Sequence, residues 1–339
     1  MKVRRKVLDK MMESVYHAPL IYRPSDYWLR LNELHILQIS EDFDSFKRSV
    51  NMRYFNWGAF GILVHQMRPI AREIIKYHNW GPILKCTYLK MKTKIRMNAV
   101  SAFIYKIYVA SLYDFVSRID RLDILTKISE PIIGAPYVIR YKNKIVSQDL
   151  CNSVFEFYSA TRFLNKNKKL EIAELGAGYG RLAFVFLKTY KNANYTIIDI
   201  PAALYISEEY LSKVFPKEKI FHFREFKSFK EVKKEFESAR VRIIMAHQIE
   251  LLPKKYFDLV LSVSTLHEMD TPQIKNFMKQ ITRICKGFFY TKQWRKSRYS
   301  GNGHIKENEY PIPRSWKEKY HVRHCIQRMF FEALYFVGR

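Results

Sequence analysis

Three glycines, Gly176, Gly178 and Gly180, sit where a short apolar run meets an amphipathic one, and this constrains the chain more than anything else in it. Leu170–Leu175 reads as a strand and Arg181–Tyr190 as a helix. Glycine turns tightly and lets a ligand approach the backbone where a Cβ would clash. A helix that opens directly after such a turn presents N–H groups with no acceptor inside the helix.

The same alternation continues to the C-terminus. Tyr195–Ile200, Val241–Ala246, Phe257–Val263 and Gly287–Thr291 read as strands, and Ala202–Val214 and Thr271–Cys285 as helices. Val322–Val337 offers the last two strands, the final one antiparallel. This pattern predicts an α/β fold: a Rossmann-like, doubly wound, mostly parallel sheet with helices on both faces. Residues 1–135 predict a mainly helical N-terminal region, with Trp28–Ile39 and Ala99–Ile119 as helices and Pro24-Ser-Asp26 as a helix start. Pro131, Gly134 and Pro136 mark the junction to a second domain, 136–339. Tyr137–Val146 reads as a hairpin turning at Lys142-Asn-Lys144, and Ser147–Leu164 as a helix.

Asp199 ends the strand that follows the glycine turn, placed to accept both ribose hydroxyls of an adenosine. The spacing G-x-G-x-G, with Glu174 two residues before the first glycine, differs from the dinucleotide pattern. It resembles the first motif of class I S-adenosylmethionine-dependent methyltransferases. That resemblance implies S-adenosylmethionine as cofactor, with Glu174, Gly176, Ala177, Gly178 and Gly180 at its methionyl and ribose side and Asp199 and Ile200 on the adenosine. Ala246-His-Gln-Ile-Glu-Leu-Leu-Pro253 resembles the family segment that flanks the adenine, which puts His247 and Gln248 there.

Over nearly all of its length the chain resembles bacterial sugar O-methyltransferases assigned by similarity. The segments that carry this are Arg23-Pro-Ser-Asp-Tyr-Trp28, Phe46-Lys-Arg-Ser-Val-Asn51, Glu174–Arg181, Leu266–Met269, Thr291-Lys-Gln-Trp294, Tyr310-Pro-Ile-Pro313 and Phe330-Phe-Glu-Ala-Leu-Tyr335. The resemblance implies a sugar-containing acceptor, nucleotide-linked or on a surface-polysaccharide precursor. A sugar hydroxyl attacks only as its proton leaves, so a base is required. His267, just past a strand's C-terminal end, is the candidate, with Glu268 or Asp270 orienting it. The segment also resembles the His-Asp-Trp stretch of plant small-molecule O-methyltransferases, whose histidine is the base. Gln293 and Trp294 follow the next strand and are candidates for the acceptor, Trp294 by stacking on a sugar ring. His304, in the loop Ser300-Gly-Asn-Gly-His304, is a candidate from a lid.

The formal charge of +27 speaks to partners rather than fold. It suits an anionic acceptor, and leaves RNA and an ordinary solvated surface as other readings. No block of five or six basic residues forms an arm. Asn/Asp-Pro-Pro-Tyr/Phe, usual in base-directed amino-methylating enzymes, is replaced by Ser264-Thr-Leu-His-Glu. Nucleic acid is therefore not the expected partner. RNA methylation and small-molecule (phenolic or polyketide) O-methylation stand as alternative functions. No run of 18 apolar residues occurs and no secretory signal is expected, which predicts a cytoplasmic protein without a membrane span. Cys86, Cys151, Cys285 and Cys325 read as reduced thiols. The histidines show no metal-ligand spacing, so no metal is expected; a homo-oligomer is left open.

Overall fold

The computed structural model describes residues 5–49, 81, 85–165, 168–297 and 305–338. Among these residues the helices are α1 (Arg5–His17), α2 (Asp26–Glu41), α3 (Ala99–Ser117), α4 (Ile124–Lys127), α5 (Gln148–Thr161), α6 (Arg181–Thr189), α7 (Pro201–Val214), α8 (Phe229–Ser238) and α9 (Thr271–Ile284). The strands are β1 (Thr87–Leu89), β2 (Val138–Tyr141), β3 (Lys144–Val146), β4 (Leu170–Leu175), β5 (Ala193–Asp199), β6 (Ile220–Phe221), β7 (Val241–Met245), β8 (Phe257–Val263), β9 (Cys285–Trp294), β10 (Lys317–Arg323) and β11 (Phe330–Phe336).

Two compact units emerge. One gathers Leu37–Arg162 with Cys325–Arg328, the other Arg4–Ile36, Phe163–His324 and Met329–Arg339. This division departs from a boundary at residue 135. The hairpin and α5 belong with the helical unit, and α1 with the first part of α2 belongs with the large sheet.

In the helical unit, β1, β2 and β3 form a small antiparallel sheet. Lys142 and Asn143 both take positive φ, 46° and 61°, which suits the right-handed twist of a two-residue hairpin. α5 opens at Ser147, whose Oγ accepts from the Leu150 N–H at 2.9 Å, a cap of the kind that satisfies an orphan donor. By length and composition α3 is long and apolar enough to cross a membrane. Its residues Tyr105, Tyr108, Val109, Leu112 and Val116 are nonetheless buried within this unit, where α3 packs on α5.

Lys47 and Arg48 of the Phe46–Asn51 segment are buried charges that tie this unit together. Lys47 Nζ meets Glu130 Oε1 at 2.8 Å, and Ser147 Oγ donates to Glu130 Oε2 at 2.7 Å. The Arg48 guanidinium donates to the carbonyls of Ala135, Pro136 and Ile95. Removing one member of a buried ion pair strands the other without solvation. Glu130→Ala is therefore expected to cost about 3–5 kcal/mol in chemical denaturation, while an exposed control such as Arg121→Ala stays within about 0.5 kcal/mol.

The second unit is a mixed eight-stranded sheet in the order β10-β11-β9-β8-β4-β5-β7-β6. β6, β7, β5, β4, β8 and β9 run parallel, and β11 is antiparallel to both β9 and β10. This is a Rossmann-like, doubly wound, mostly parallel sheet, with the antiparallel strand expected near the C-terminus. β4, β5 and β7 are buried nearly throughout, as strands covered on both faces must be. The strand order reverses at β4, so the carboxyl ends of β4, β5 and β8 border the crevice where such sheets take ligands.

The N-terminal segment is built into this unit. α1 packs along α7, Tyr22 Oη donates to Glu250 Oε1 at 2.7 Å, and Gln273 Nε2 donates to the Arg23 carbonyl at 2.7 Å. Asn32 reaches across the sequence to accept from the Ala202 N–H at 2.8 Å, capping α7 where its own N-cap, Ile200, has no side chain to do so.

Candidate active site

The glycine loop lies between β4 and α6. Gly176, Gly178 and Gly180 adopt φ of 74°, 60° and 85°, values that L side chains avoid. Gly176 N–H bonds the Ile198 carbonyl at 2.8 Å, and Gly180 N–H closes a turn on the Ala177 carbonyl at 3.0 Å. A Cβ on Gly176 would lie 2.1 Å from Thr265 Oγ1, the same hydroxyl that donates to the Gly176 carbonyl at 3.2 Å. The loop is thus keyed to the segment after β8. α6 opens at Gly180 with no side-chain cap.

Asp199 ends β5 and faces this loop. Its Oδ2 accepts from Gly178 N–H at 2.9 Å and its Oδ1 from Ile200 N–H at 2.8 Å. It keeps 8% exposure. Burial pushes its carboxyl up to about 7, the backbone donors pull the other way, and the charge of Glu268 adds to the push. Ala177 and Ile200 flank these contacts. Glu174 is buried beneath the loop and accepts from Tyr195 Oη at 2.7 Å.

His247 and Gln248 follow β7. His247 is half-buried, its Nε2 3.4 Å from Ser14 Oγ of α1. Burial lowers its basicity, against the charges of Glu225 and Glu250. Gln248 is buried, with Oε1 accepting from Met245 N–H and Nε2 donating to the Arg224 carbonyl, each at 2.9 Å. It holds the turn after β7, so an adenine contact through its side-chain amide is not what the structure displays.

The segment after β8 carries His267 and Glu268. His267 is buried, its ring 5.8 Å from Trp294 and 6.2 Å from Phe330. Its Nδ1 lies 2.9 Å from Gln293 Oε1 and its Nε2 3.6 Å from Glu268 Oε1. The Glu268 side chain is 11% exposed against 1% for His267, so the carboxylate is the more accessible member of the pair. Asp270 N–H bonds Gln273 Oε1 at the start of α9, a capping arrangement and not a contact to the histidine ring.

Gln293 corrects an expectation. It was to touch the acceptor; it is fully buried and both ends of its amide are engaged. Trp294 is half-buried, and its ring packs on His267 and on Phe330 at 5.4 Å. His304 lies outside the described residues. Among the described residues no group of three or more His, Cys, Asp or Glu is placed to hold a metal.

Thr265, Ser14 and Asn32 were not singled out from the sequence. Thr265 had no motif of its own. The other two act across more than 150 positions, and only the packing of α1 and α2 on the sheet shows them.

No protein-family model matches the chain, and no curated protein matches it. Solved structures with a similar arrangement include PH0226 from Pyrococcus horikoshii OT3, 11% identical, covering 56% of this chain and 92% of that one with a TM-score of 0.40. A SAM dependent methyltransferase from Aquifex aeolicus is 13% identical and covers 53% of this chain and 93% of its own, TM-score 0.34. The N-methyltransferase NodS from Bradyrhizobium japonicum WM9 is 12% identical and covers 56% and 95%, TM-score 0.37.

Proposed function

We propose that this chain is an S-adenosylmethionine-dependent O-methyltransferase that methylates a sugar hydroxyl, with His267 and its neighbour Glu268 taking the acceptor proton. The observation that carries the reading is the contact of the Asp199 carboxylate with the Gly178 N–H. It brings an acidic group and a left-handed glycine turn together at the carboxyl edge of a parallel sheet. An adenosine fits this donor set: the carboxylate can accept from a ribose diol, while the turn excludes side chains from the space beside it.

Held there, S-adenosylmethionine supplies a methyl group made electrophilic by its sulfonium. Glu174, Gly176, Ala177, Gly178 and Gly180 form the methionyl and ribose side, Asp199 and Ile200 the adenosine side, and His247 the adenine side through its neutral imidazole. The chain's own residues then orient the acceptor and remove its proton. Glu268 stands at the more accessible end of the pair, and His267 Nε2 lies behind it within ion-pair range. The half-buried indole of Trp294 is the surface proposed for the sugar ring.

The sugar acceptor rests on the segments that resemble sugar O-methyltransferases and on the charge of +27, which favours an anionic, nucleotide-linked acceptor. The same charge favours RNA as a second reading. Affinity for RNA that falls roughly 10³-fold or more between 50 and 200 mM salt would speak for it.

In transfer of labelled methyl from S-adenosylmethionine to a panel of UDP- and GDP-linked sugars, His267→Ala is expected to lose roughly 10²–10⁴-fold in kcat. Its affinity for S-adenosylhomocysteine should stay within about threefold of the parent. Turnover close to the parent's would remove His267 from the mechanism.

A further inference from the structure

We infer that Gln293 is a positioning residue that fixes His267 as its Nδ1–H tautomer, leaving Nε2 as the ring's proton-accepting nitrogen beside Glu268. The proposal rests on the methyl-transfer reading for its purpose, though not for its geometry.

The orientation of the Gln293 amide is set by backbone groups that cannot exchange roles. Its Nε2 lies 3.0 Å from the Ser262 carbonyl, which only accepts, and 3.0 Å from Thr291 Oγ1. Its Oε1 lies 3.1 Å from the Thr265 N–H, which only donates. A flipped amide would set oxygen against oxygen at one end and N–H against N–H at the other. Oε1 is therefore the atom facing His267 Nδ1 at 2.9 Å, and a carbonyl oxygen accepts. The shared proton belongs to Nδ1.

The ring has little freedom to escape this contact. Trp294 and Phe330 pack against it, and Ser297 Oγ donates to the His267 carbonyl at 2.5 Å, pinning the backbone. Gln293 also holds Thr265, whose hydroxyl bonds Gly176. One buried side chain therefore links the ring to the glycine loop. In the neutral ring the lone pair is then at Nε2, 3.6 Å from Glu268 Oε1. That distance is too long for a hydrogen bond, yet close enough for the carboxylate to stabilise a proton arriving on the ring. A second-sphere partner that selects the tautomer of a base is known to matter for catalysis by orders of magnitude.

The test is ¹⁵N NMR of the full chain with labelled histidine and S-adenosylhomocysteine added. His267 signals are assigned by their loss in His267→Gln. The parent protein should show a protonated Nδ1 and an unprotonated Nε2 in the neutral ring. Gln293→Leu should mix or invert the tautomers and lower kcat roughly 10²–10⁴-fold.

A protonated Nε2 in the neutral ring of the parent overturns the proposal. So does a Gln293→Leu protein with near-parental kcat when His267→Ala is inactive. If His267→Ala is itself active, the base reading fails separately, and the parent's NMR spectrum still decides the tautomer. Should Gln293→Leu fail to fold, the parent spectrum decides.

Discussion

Gly176→Ala is expected to destabilise the protein by roughly 2–5 kcal/mol and to abolish measurable donor binding. Two costs add. The residue sits at φ 74°, which costs an L side chain roughly 1–2 kcal/mol. The new Cβ would also stand 2.1 Å from Thr265 Oγ1 and 2.2 Å from its Cγ2, an overlap whose relief costs roughly 1–3 kcal/mol. Thr265 cannot yield freely, since Gln293 holds its N–H. Gly180→Ala makes the contrast. Its φ of 85° carries the same strain, but the nearest atom to its Cβ is the flexible Leu211 Cδ1 at 3.2 Å. It should lose only the conformational share, about 1–2 kcal/mol. Urea denaturation separates the two. In the double variant Gly176→Ala with Thr265→Ala, part of the loss should return, because the two sites share the clash. Equal losses at Gly176 and Gly180 would mean that Thr265 does not lock the loop.

Asp199→Ala is expected to weaken S-adenosylhomocysteine binding by roughly 30- to 10³-fold, equivalent to about 2–4 kcal/mol for two hydrogen bonds to a charged acceptor. The parent's binding should also depend on pH, and the direction follows from the state of Asp199. Its carboxyl stands at about 7. Above that pH it is a carboxylate that can accept from both ribose hydroxyls. Below it the group is neutral and has lost acceptor capacity. Affinity should thus fall by up to tenfold per pH unit below about 7 and level off above it. Binding near pH 6 should release a proton, seen as a heat that varies with the buffer's ionisation enthalpy. In Asp199→Ala this part of the pH dependence should vanish. A parent protein whose affinity is flat from pH 5.5 to 8 would remove Asp199 from the donor site.

The sheet was legible because its physics is local. A β-branched run, a glycine turn and an amphipathic helix leave marks at periods of two and 3.6 residues, and β4, α6 and β8 begin where those marks do. β6, two residues long, and β1, three residues long, are too short to show a period and were not foreseen. The division into units differs from the expected boundary for a different reason. Tyr22 and Asn32 hold the N-terminal segment to the sheet through partners more than 150 positions away, and no local pattern records that.

The candidate site was legible to the extent that strand ends point at it. Asp199 faces the glycine loop because it is the last residue of β5, and His267 meets that edge because it follows β8. Their detailed roles come from register. Ser262 pairs with Thr291 across β8 and β9, which carries Gln293 into the interior beside His267 rather than out toward an acceptor. The sequence places Gln293 after a strand expected to end at Thr291; β9 runs on to Trp294, and that difference of three residues turned a presumed surface contact into a buried one.

The central claim is that the glycine turn and Asp199 together grip an adenosine. Isothermal calorimetry of the full chain with S-adenosylhomocysteine at pH 8 tests it most directly. Saturable heat near one equivalent, with affinity roughly 30- to 10³-fold weaker in Asp199→Ala and no heat when NAD is titrated instead, is the predicted result. No heat with either S-adenosylhomocysteine or S-adenosylmethionine from a protein whose fold is intact by circular dichroism would contradict it.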